Sequence, residues 1–294
     1  MERILDYTID SEYDDITIVG FLKAQGYSSQ NLIELKKMPE SILLNGKWEY
    51  VTKRVKEGDV LSVHIREEES SEKIVPVNLP LPIVYEDEDI LVVNKPADMP
   101  IHPSMNNYEN TLGNAAAYYF AKQKQPFTFR CINRLDRDTT GLTILAKHMV
   151  SSSVLYDAMT RREIKRTYQA IVVGEDIEDE GTVDAPIGRK EGSTIERMID
   201  FKNGERAVTH YKVLERRDGK ALISLQLDTG RTHQIRVHMA HIGHPLIGDF
   251  LYNPDNTDMK RQALHSYSLS FVHPITKKEL YFEAELPEDM KEAL

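Results

Sequence analysis

Asp136 stands in the stretch CINRLDRDTTGLTILAK at a position where a carboxylate could do chemistry. It follows the apolar Leu135 and comes before the turn-forming run Asp138 to Gly141. If the chain is extended here, Arg134 and Asp136 share one strand face, because side chains alternate along a strand. A carboxylate beside apolar residues needs a cationic partner to offset its desolvation. The spacing therefore predicts either a reactive carboxylate or a structural ion pair, and it leaves both open.

Arg231 and several histidines are concentrated in the stretch LDTGRTHQIRVHMAHIGHPLIGD, which predicts a strand end, a turn and a helix from about Thr232. The four histidines are His233, His238, His241 and His244. Two of them lie one helical turn apart, which is one mark of a metal site. No carboxylate or cysteine completes a recognised ligand pattern, so we expect no metal and expect these histidines to cap or pack.

A cluster of cations comes just before a predicted strand in RREIKRTYQAIVVGE. Its members are Arg161, Arg162, Lys165 and Arg166. The strand itself carries Tyr168, so the segment could offer phosphate contacts beside an aromatic face for a nucleobase. An exposed basic loop followed by a core tyrosine is the alternative, and the segment alone does not exclude it.

Composition limits the classes of protein to which the chain can belong. The sequence has 294 residues, of which 40% are hydrophobic and 29% charged, as in ordinary globular proteins. A formal net charge of −10 argues against a general nucleic-acid binder, although a local basic patch can still bind phosphate. Cys131 is the single cysteine, and the N-terminus has no apolar signal core, so we expect a cytoplasmic protein without an intrachain disulfide. No apolar run reaches the length of about 18 residues that a membrane span needs.

Short strands and helices must position these side chains. The pattern predicts an α+β fold with a mixed, largely antiparallel central sheet flanked by helices. TLGNAAAYYFAKQ predicts a helix, and SILLNGKWEY predicts a hairpin with Asn45-Gly46 as its two-residue turn. The charged and proline-bearing stretch REEESSEKIVPVNLPLP predicts a linker. We therefore predict a small α+β domain with its linker over residues 1–75 and a main domain over residues 76–294.

Taken together, the segments resemble a known family. NRLDRDTTGLTILAK closely resembles the His-Arg-Leu-Asp-x-x-Thr-Ser-Gly signature of RluA/RluD-type pseudouridine synthases, with Asn133 in place of His and Thr140 in place of Ser. VVNKPADMPIHP, KRTYQAIVVG, LDTGRTHQIRVHMAHIGHPLIGD and ALHSYSLSFVHP are similar to other segments of that family, in the same order. Residues 13–66 resemble, more weakly, a small RNA-binding domain of the ribosomal-protein type, with Ser28-Ser29 where Ser-Arg is expected.

The resemblance implies a reaction and a set of roles. The family converts uridine in RNA to pseudouridine: the N1–C1′ bond breaks, the uracil turns, and C5 bonds to C1′ without any cofactor. By resemblance, Asp136 is the essential carboxylate, Arg231 pairs with it, and Tyr168 packs on the base and takes part in proton transfer. Arg134 corresponds to the residue that helps to extrude the uridine, and Leu264 to a residue of the pocket wall. Attack at C1′, addition to the base and removal of the C2′ proton all remain open for the carboxylate.

The resemblance also sets expectations about partners. We expect a monomer that acts on RNA, with ribosomal RNA preferred over transfer RNA because of the fused N-terminal domain, and with no membrane or small-molecule cofactor. One alternative is a non-catalytic RNA- or ribosome-binding protein on the same fold. Another is a glycoside-type hydrolase, which needs a second carboxylate across the sugar, and Asp138 in its turn is a poor partner for that role.

Overall fold

Two main sheets and a separate two-stranded ribbon form the computed structural model, which describes residues 1–105 and 107–294. The first 66 residues build the smaller, four-stranded sheet in the strand order β1-β4-β2-β3. Its elements are β1 (Glu2–Thr8), α1 (Ile18–Ala24), α2 (Ser29–Lys37), β2 (Ile42–Leu44), β3 (Lys47–Trp48) and β4 (Val60–Arg66). This small N-terminal domain buries a hydrophobic core of its own, in which helix residues such as Leu22 and Leu35 pack on strand residues such as Val63.

The hairpin predicted for this domain is confirmed, and its second helix has a well-formed N-terminal cap. Asn45 and Gly46 join β2 to β3 with φ values of 52° and 74°, the two positive angles of a type I′ hairpin turn. Ser28 caps α2, and Asn31 completes a capping box by accepting a hydrogen bond from the Ser28 amide. The strand β1 was not predicted, and it pairs antiparallel with β4 along its whole length.

The larger sheet has nine strands in the order β5-β6-β7-β14-β8-β13-β12-β9, and β15 also pairs with β14. These strands, with the separate two-stranded ribbon of β10 and β11, are β5 (Ile83–Glu86), β6 (Ile90–Lys95), β7 (Thr140–Ala146), β8 (Lys165–Val173), β9 (Glu180–Asp184), β10 (Ile187–Arg189), β11 (Arg197–Ile199), β12 (Val208–Arg217), β13 (Lys220–Leu227), β14 (Leu264–Val272) and β15 (Glu279–Glu283). Every pairing is antiparallel except that of β7 with β14, so the prediction of a mixed, largely antiparallel sheet is confirmed.

Helices cover both faces of this sheet. They are α3 (Leu112–Lys122), α4 (Met149–Thr160), α5 (Gln234–His241) and the C-terminal α6 (Glu288–Ala293). Phe120 of α3 and Met239 of α5 belong to one hydrophobic core, and Leu155 of α4 belongs to the core on the opposite face. Thr111 caps α3 close to the predicted start of that helix.

The parallel contact between β7 and β14 requires a glycine. Gly141 has a φ of 110°, and a Cβ built on it would lie 2.3 Å from the backbone oxygen of Ser266. Only a residue without a side chain lets the two backbones approach this closely. Gly141 therefore fixes where β7 begins, directly after the segment that carries Asp136.

The small domain is docked on α4 of the large one. The Ser28 amide donates to Ser153 Oγ at 3.1 Å, Ser153 Oγ donates to the Gly26 carbonyl at 2.8 Å, and Val150 is buried in the core of the small domain. On the other side of the junction, Arg3 of β1 donates to the buried Asp89 at 2.9 Å. The boundary near residue 75 stays a prediction.

Within residues 1–105 and 107–294, no helix is long and apolar enough to cross a membrane.

Candidate active site

The segment that carries Asp136 is not a strand, so the predicted strand face is wrong. Only Cys131 forms an isolated bridge, to Leu145, and the chain stays irregular until β7 begins. The buried Asn133 holds the segment instead, because its side-chain amide donates to the Leu142 carbonyl at 3.0 Å and its Oδ1 accepts from the Ile144 amide at 2.8 Å. The residue that departs from the family signature therefore ties the Asp136 segment to β7.

The residues predicted for the site lie around one cavity of about 760 Å³, a volume suited to a small ligand or a nucleotide. The irregular segment, β8, β13 and the turn before α5 form its walls. All five predicted site residues line it, namely Arg134, Asp136, Tyr168, Arg231 and Leu264. These residues are up to 130 positions apart in sequence, and the sheet brings them together.

Asp136 pairs with Arg236 of α5. Arg236 Nη1 lies 3.3 Å from Asp136 Oδ2, and the Asp136 side chain keeps 27% of its surface exposed towards the cavity. Arg236 itself is only 2% exposed, and two further hydrogen bonds of 2.7 Å join it to the fully buried Asp249. Burial opposes the arginine charge, but the Asp249 hydrogen bond and charge outweigh it and raise the pKa of Arg236. The cavity carboxylate therefore faces a fixed cation that is always charged.

Arg231 does not make the predicted pair with Asp136. Its guanidinium forms an ion pair with Glu205, and its Nε donates to the Arg206 carbonyl at 3.2 Å. It still lines the cavity from the turn before α5. The physical reason lies in the helix: Arg236 is the third residue of α5, where its side chain faces Asp136, whereas Arg231 precedes the helix. A signal in the sequence was available, because a cation between Ile235 and Val237 on a buried helix face needs an acidic partner.

His233, which was expected only to cap or pack, is a second neighbour of Asp136. Its Nε2 lies 3.9 Å from Asp136 Oδ2, and its Nδ1 lies 2.9 Å from the Tyr252 hydroxyl. Its backbone is left-handed, with φ at 58°, at the position before α5 begins. Burial lowers the pKa of His233, Asp136 opposes this, and Arg236 reinforces it. The ring is therefore neutral near pH 7.

Tyr168 and Leu264 form apolar walls of the same cavity. Tyr168 lies in β8 between β13 and β14, and only 4% of its surface is exposed. Leu264, the first residue of β14, is also buried and belongs to the same hydrophobic core. Arg134 is exposed at the rim, and among the described residues no hydrogen bond or ion pair engages its guanidinium. The cavity thus has an aromatic and aliphatic wall with a free cation at its mouth.

The cavity has a positive balance of charge even though the chain as a whole is acidic. Six cations line it, against the two carboxylates of Asp136 and Asp228. The cations are Arg134, Arg162, Lys165, Arg166, Arg231 and Arg236. Arg161 is not among them, because Asp157 at 2.9 Å and Glu163 at 3.3 Å hold its guanidinium on the surface of the molecule. Such a balance favours a polyanionic ligand.

The four histidines of the predicted turn and helix do not converge on one point. His238 is buried between the Ala185 carbonyl and the Thr209 hydroxyl, both 2.9 Å away, and His244 Nδ1 lies 3.0 Å from the Val173 carbonyl. Within the described residues, the one group with the geometry of a metal site is Asp87, Asp89 and His273, at the domain junction. Its atoms are already engaged with one another and with neighbours such as Arg3.

Lys95, which lies in the segment VVNKPADMPIHP, supports the backbone beside the cavity. Its buried Nζ donates to the carbonyls of Pro96, Met99 and Arg137 at 2.8, 2.9 and 2.8 Å. Burial lowers the pKa of Lys95 to about 7, while three carbonyl acceptors favour the ammonium form, which has a hydrogen for each. Because Arg137 directly follows Asp136, Lys95 anchors the backbone of the Asp136 segment.

Comparison with known proteins identifies the class to which this fold and cavity belong. A family model described as RNA pseudouridylate synthase matches residues 89–241, more than half of the chain and most of the residues around the cavity. The chain therefore belongs to the RNA pseudouridylate synthase family. It is an RNA pseudouridine synthase, an isomerase that converts uridine in RNA to pseudouridine.

Individual relatives extend the similarity over nearly the whole chain. An uncharacterized RNA pseudouridine synthase of Bacillus subtilis, YjbO, is 40% identical over 95% of this chain and 98% of its own length. Ribosomal large subunit pseudouridine synthase D of Escherichia coli (strain K12) is 38% identical over 87% of this chain and 82% of its own. The solved structure of human RNA pseudouridylate synthase domain containing 1 has a TM-score of 0.60 at 26% identity, and covers 77% of this chain and 90% of that one.

Proposed function

We propose that this enzyme isomerises specific uridines of ribosomal RNA and that Asp136 is its essential carboxylate. One observation carries the assignment of the residue. Asp136 lines a basic cavity and forms an ion pair with a buried arginine, Arg236, which is also paired with Asp249. Arg236 favours the ionised carboxylate, and attack at C1′, addition to the base and removal of the C2′ proton all require that form.

The other cavity residues have roles that follow from their positions. Arg134, exposed at the rim without a partner among the described residues, fills the place of the extruded uridine and offsets part of the few kcal/mol that base flipping costs. Tyr168 and Leu264 pack on the flipped base, and the Tyr168 hydroxyl takes part in proton transfer. Arg231, paired with Glu205, contributes to the cavity wall and to RNA binding.

Ribosomal RNA is the favoured substrate for two reasons. The Escherichia coli relative is named for the large ribosomal subunit. The small N-terminal domain also adds a second surface next to the catalytic cavity, on which a structured RNA can rest. Transfer RNA is the alternative, and mapping pseudouridine in ribosomal and transfer RNA from cells with and without the gene distinguishes the two. We further propose a cytoplasmic monomer that needs no cofactor.

Two rival functions have less support. A non-catalytic RNA-binding protein would not need a carboxylate held by a buried arginine, and replacing such a pair is often neutral or stabilising. A glycoside-type hydrolase would need a second carboxylate facing the sugar. Asp138 is buried outside the cavity and pairs with Arg137, with oxygen–nitrogen distances of 3.0 to 3.3 Å.

The replacement Asp136→Asn tests the proposal because it keeps the size of the side chain and removes its charge. We expect pseudouridine formation to fall by at least about a thousandfold while RNA binding and thermal stability change little. Asp179→Asn is the matched control and should keep full activity, because Asp179 is exposed and pairs with Arg216 outside the cavity. Normal pseudouridine formation by Asp136→Asn would refute the assignment of this carboxylate.

A further inference from the structure

Two hydrogen-bond donors approach the same oxygen of Asp136. Arg236 Nη1 lies 3.3 Å and His233 Nε2 lies 3.9 Å from Oδ2. Among the described residues, no donor reaches the other oxygen, Oδ1. The carboxylate therefore has one oxygen turned to the protein and one left for a ligand.

The hydrogen bonds of Tyr252 define which ring nitrogen of His233 carries the proton. The Arg197 amide donates to the Tyr252 oxygen at 2.9 Å, and the same oxygen lies 2.9 Å from His233 Nδ1. Having accepted one hydrogen bond, the phenol has its own O–H to give, and Nδ1 is the acceptor beside it. A neutral imidazole that accepts at Nδ1 carries its hydrogen on Nε2, the nitrogen that faces Asp136.

The ring is also held in place. The left-handed backbone of His233 turns the chain into α5, and the ring packs edge-on against Tyr252 with centroids 5.8 Å apart. Its side chain is only 13% exposed. The charged groups that face it are Asp136, Arg236, Arg197 and Asp249, two of each sign. Left-handed backbone at a non-glycine residue costs free energy, and such strain is often found at functional sites.

We propose that His233 is a positioning residue: its Nε2–H, fixed by Tyr252, holds Asp136 Oδ2 together with Arg236 and presents Oδ1 to the uridine. This inference rests on the proposed role of Asp136 and adds to it the identity of the reacting oxygen. The present separation of 3.9 Å closes to a hydrogen bond when RNA fills the cavity, since catalytic hydrogen bonds often tighten only in the complex. A neutral donor suits this task, because it orients the carboxylate without adding a second charge to the pair.

Three substitutions and one control test the proposal in the full-length enzyme, with RNA substrate under single-turnover conditions. His233→Asn removes the ring but tolerates the left-handed backbone, and we expect the rate to fall about 10- to 100-fold with little change in RNA affinity. His233→Gln places an amide N–H near the position of Nε2 and should recover part of that loss. His241→Asn, at the exposed end of α5, should match the wild type.

The pH–rate profile of Tyr252→Phe distinguishes a positioning role of His233 from a purely structural one, which would leave that profile unchanged. It keeps the ring, which lies 5.1 Å from the Arg236 guanidinium carbon, and removes only the hydroxyl that donates to Nδ1. Losing that donor favours the protonated imidazole, so the acid side of the pH–rate profile should shift to higher pH. In His233→Gln, the part of the acid limb that belongs to this histidine should disappear.

The outcomes are separable. Wild-type rates in His233→Asn, an unshifted pH profile in Tyr252→Phe, or equal loss in the Asn and Gln variants together with a lowered melting temperature would each overturn the role of His233. Activity retained in Asp136→Asn would instead overturn the proposed function of the carboxylate, whatever the His233 variants do.

Discussion

Arg236 is bound on two sides, and this makes it a rigid donor. Its Nε and Nη2 hold Asp249, each at 2.7 Å, which leaves Nη1 directed at Asp136. A guanidinium binds one carboxylate through two parallel donors and keeps a third donor for another, whereas an ammonium has no such planar fork. The direction of the Asp136 carboxylate is thus set by α5 and not by the irregular segment that carries it.

The ion pair between Arg236 and Asp136 predicts that Arg236 contributes more to the rate of pseudouridine formation than Arg231 does. In Arg236→Lys, the charge stays but the fork is lost, and we expect pseudouridine formation to fall by roughly a hundredfold or more. Arg231→Lys, whose partner Glu205 is exposed, should lose much less, since exposed pairs contribute only about 0–1 kcal/mol. Single-turnover rates of both variants on one RNA measure this, and the reverse order of effects would contradict the pairing.

The cations at the rim predict a pattern of RNA affinity. Arg166→Gln should weaken binding and reduce the slope of log K against log salt by about 0.7–0.9, the value for one lost phosphate contact. Arg161→Gln is the matched control, because Asp157 and Glu163 already neutralise Arg161 outside the cavity. Binding titrations at several salt concentrations give both slopes. Equal slopes for the two variants would mean that RNA does not follow the cavity rim.

At the scale of the elements, the close contact of β7 with β14 predicts a sensitive glycine. Gly141→Ala forces a Cβ to 2.3 Å from the Ser266 oxygen. We therefore expect the free energy of unfolding to fall by about 3 kcal/mol or more. Gly192→Ala is the control, because Gly192 also has a positive φ of 76° but nothing within 4 Å. Its cost should be about 1 kcal/mol, from the backbone alone.

Urea unfolding of the two glycine variants separates the clash from the backbone term. If both lose the same small amount of stability, then β7 and β14 have room to move apart, and the close approach does not fix the start of β7. A large loss confined to Gly141→Ala would show that the close approach of β7 and β14 stabilises the fold where the Asp136 segment ends.

Elements with strong local signals could be predicted from the sequence. The Asn45-Gly46 turn and the Thr111 cap of α3 depend on neighbours within a few residues, so their patterns were sufficient. The segment at Asp136 was predicted as a strand because alternation looks the same whether or not a partner strand exists. The strand β1 escaped prediction because one of its faces is exposed and charged, and its pairing with β4 spans more than fifty residues.

For the site, the sequence was sufficient to predict which residues line the cavity but not how they pair. Resemblance indicated which residues gather at the cavity, and all five of them line it. It did not give the pairing of Asp136, which depends on how α5 is rotated and on Asp249 behind it. Nor could the tautomer of His233 be read from spacing, because Tyr252 reaches it from a loop 19 residues away.

For the whole molecule, buried neutral histidines predict an acid-sensitive fold. Burial lowers the pKa of His238 and of His265 below the ordinary value of 6.5. The unfolded chain then binds protons at a pH where the folded chain does not, so stability is full above pH 6.5 and is lost as pH falls below it. The melting temperature should therefore drop between about pH 6.5 and pH 5.

Melting curves at a series of pH values check this, with RNA absent. His241→Asn should change the pH dependence only slightly, because His241 is exposed at the end of α5 and acts on His238 only through its charge. A melting temperature that stays constant down to pH 5 would show that the two buried rings are protonated as easily in the folded chain as in the unfolded one.

Val150 links the two domains in time as well as in space. It completes the core of the small domain, yet the ribosome adds it roughly 80 residues after Arg66, the end of that domain's last strand. At ~5–20 residues per second, the growing chain waits on the order of ten seconds with this core unfinished. We therefore expect the small domain to reach its full stability only after α4 has been synthesised and Val150 has entered its core.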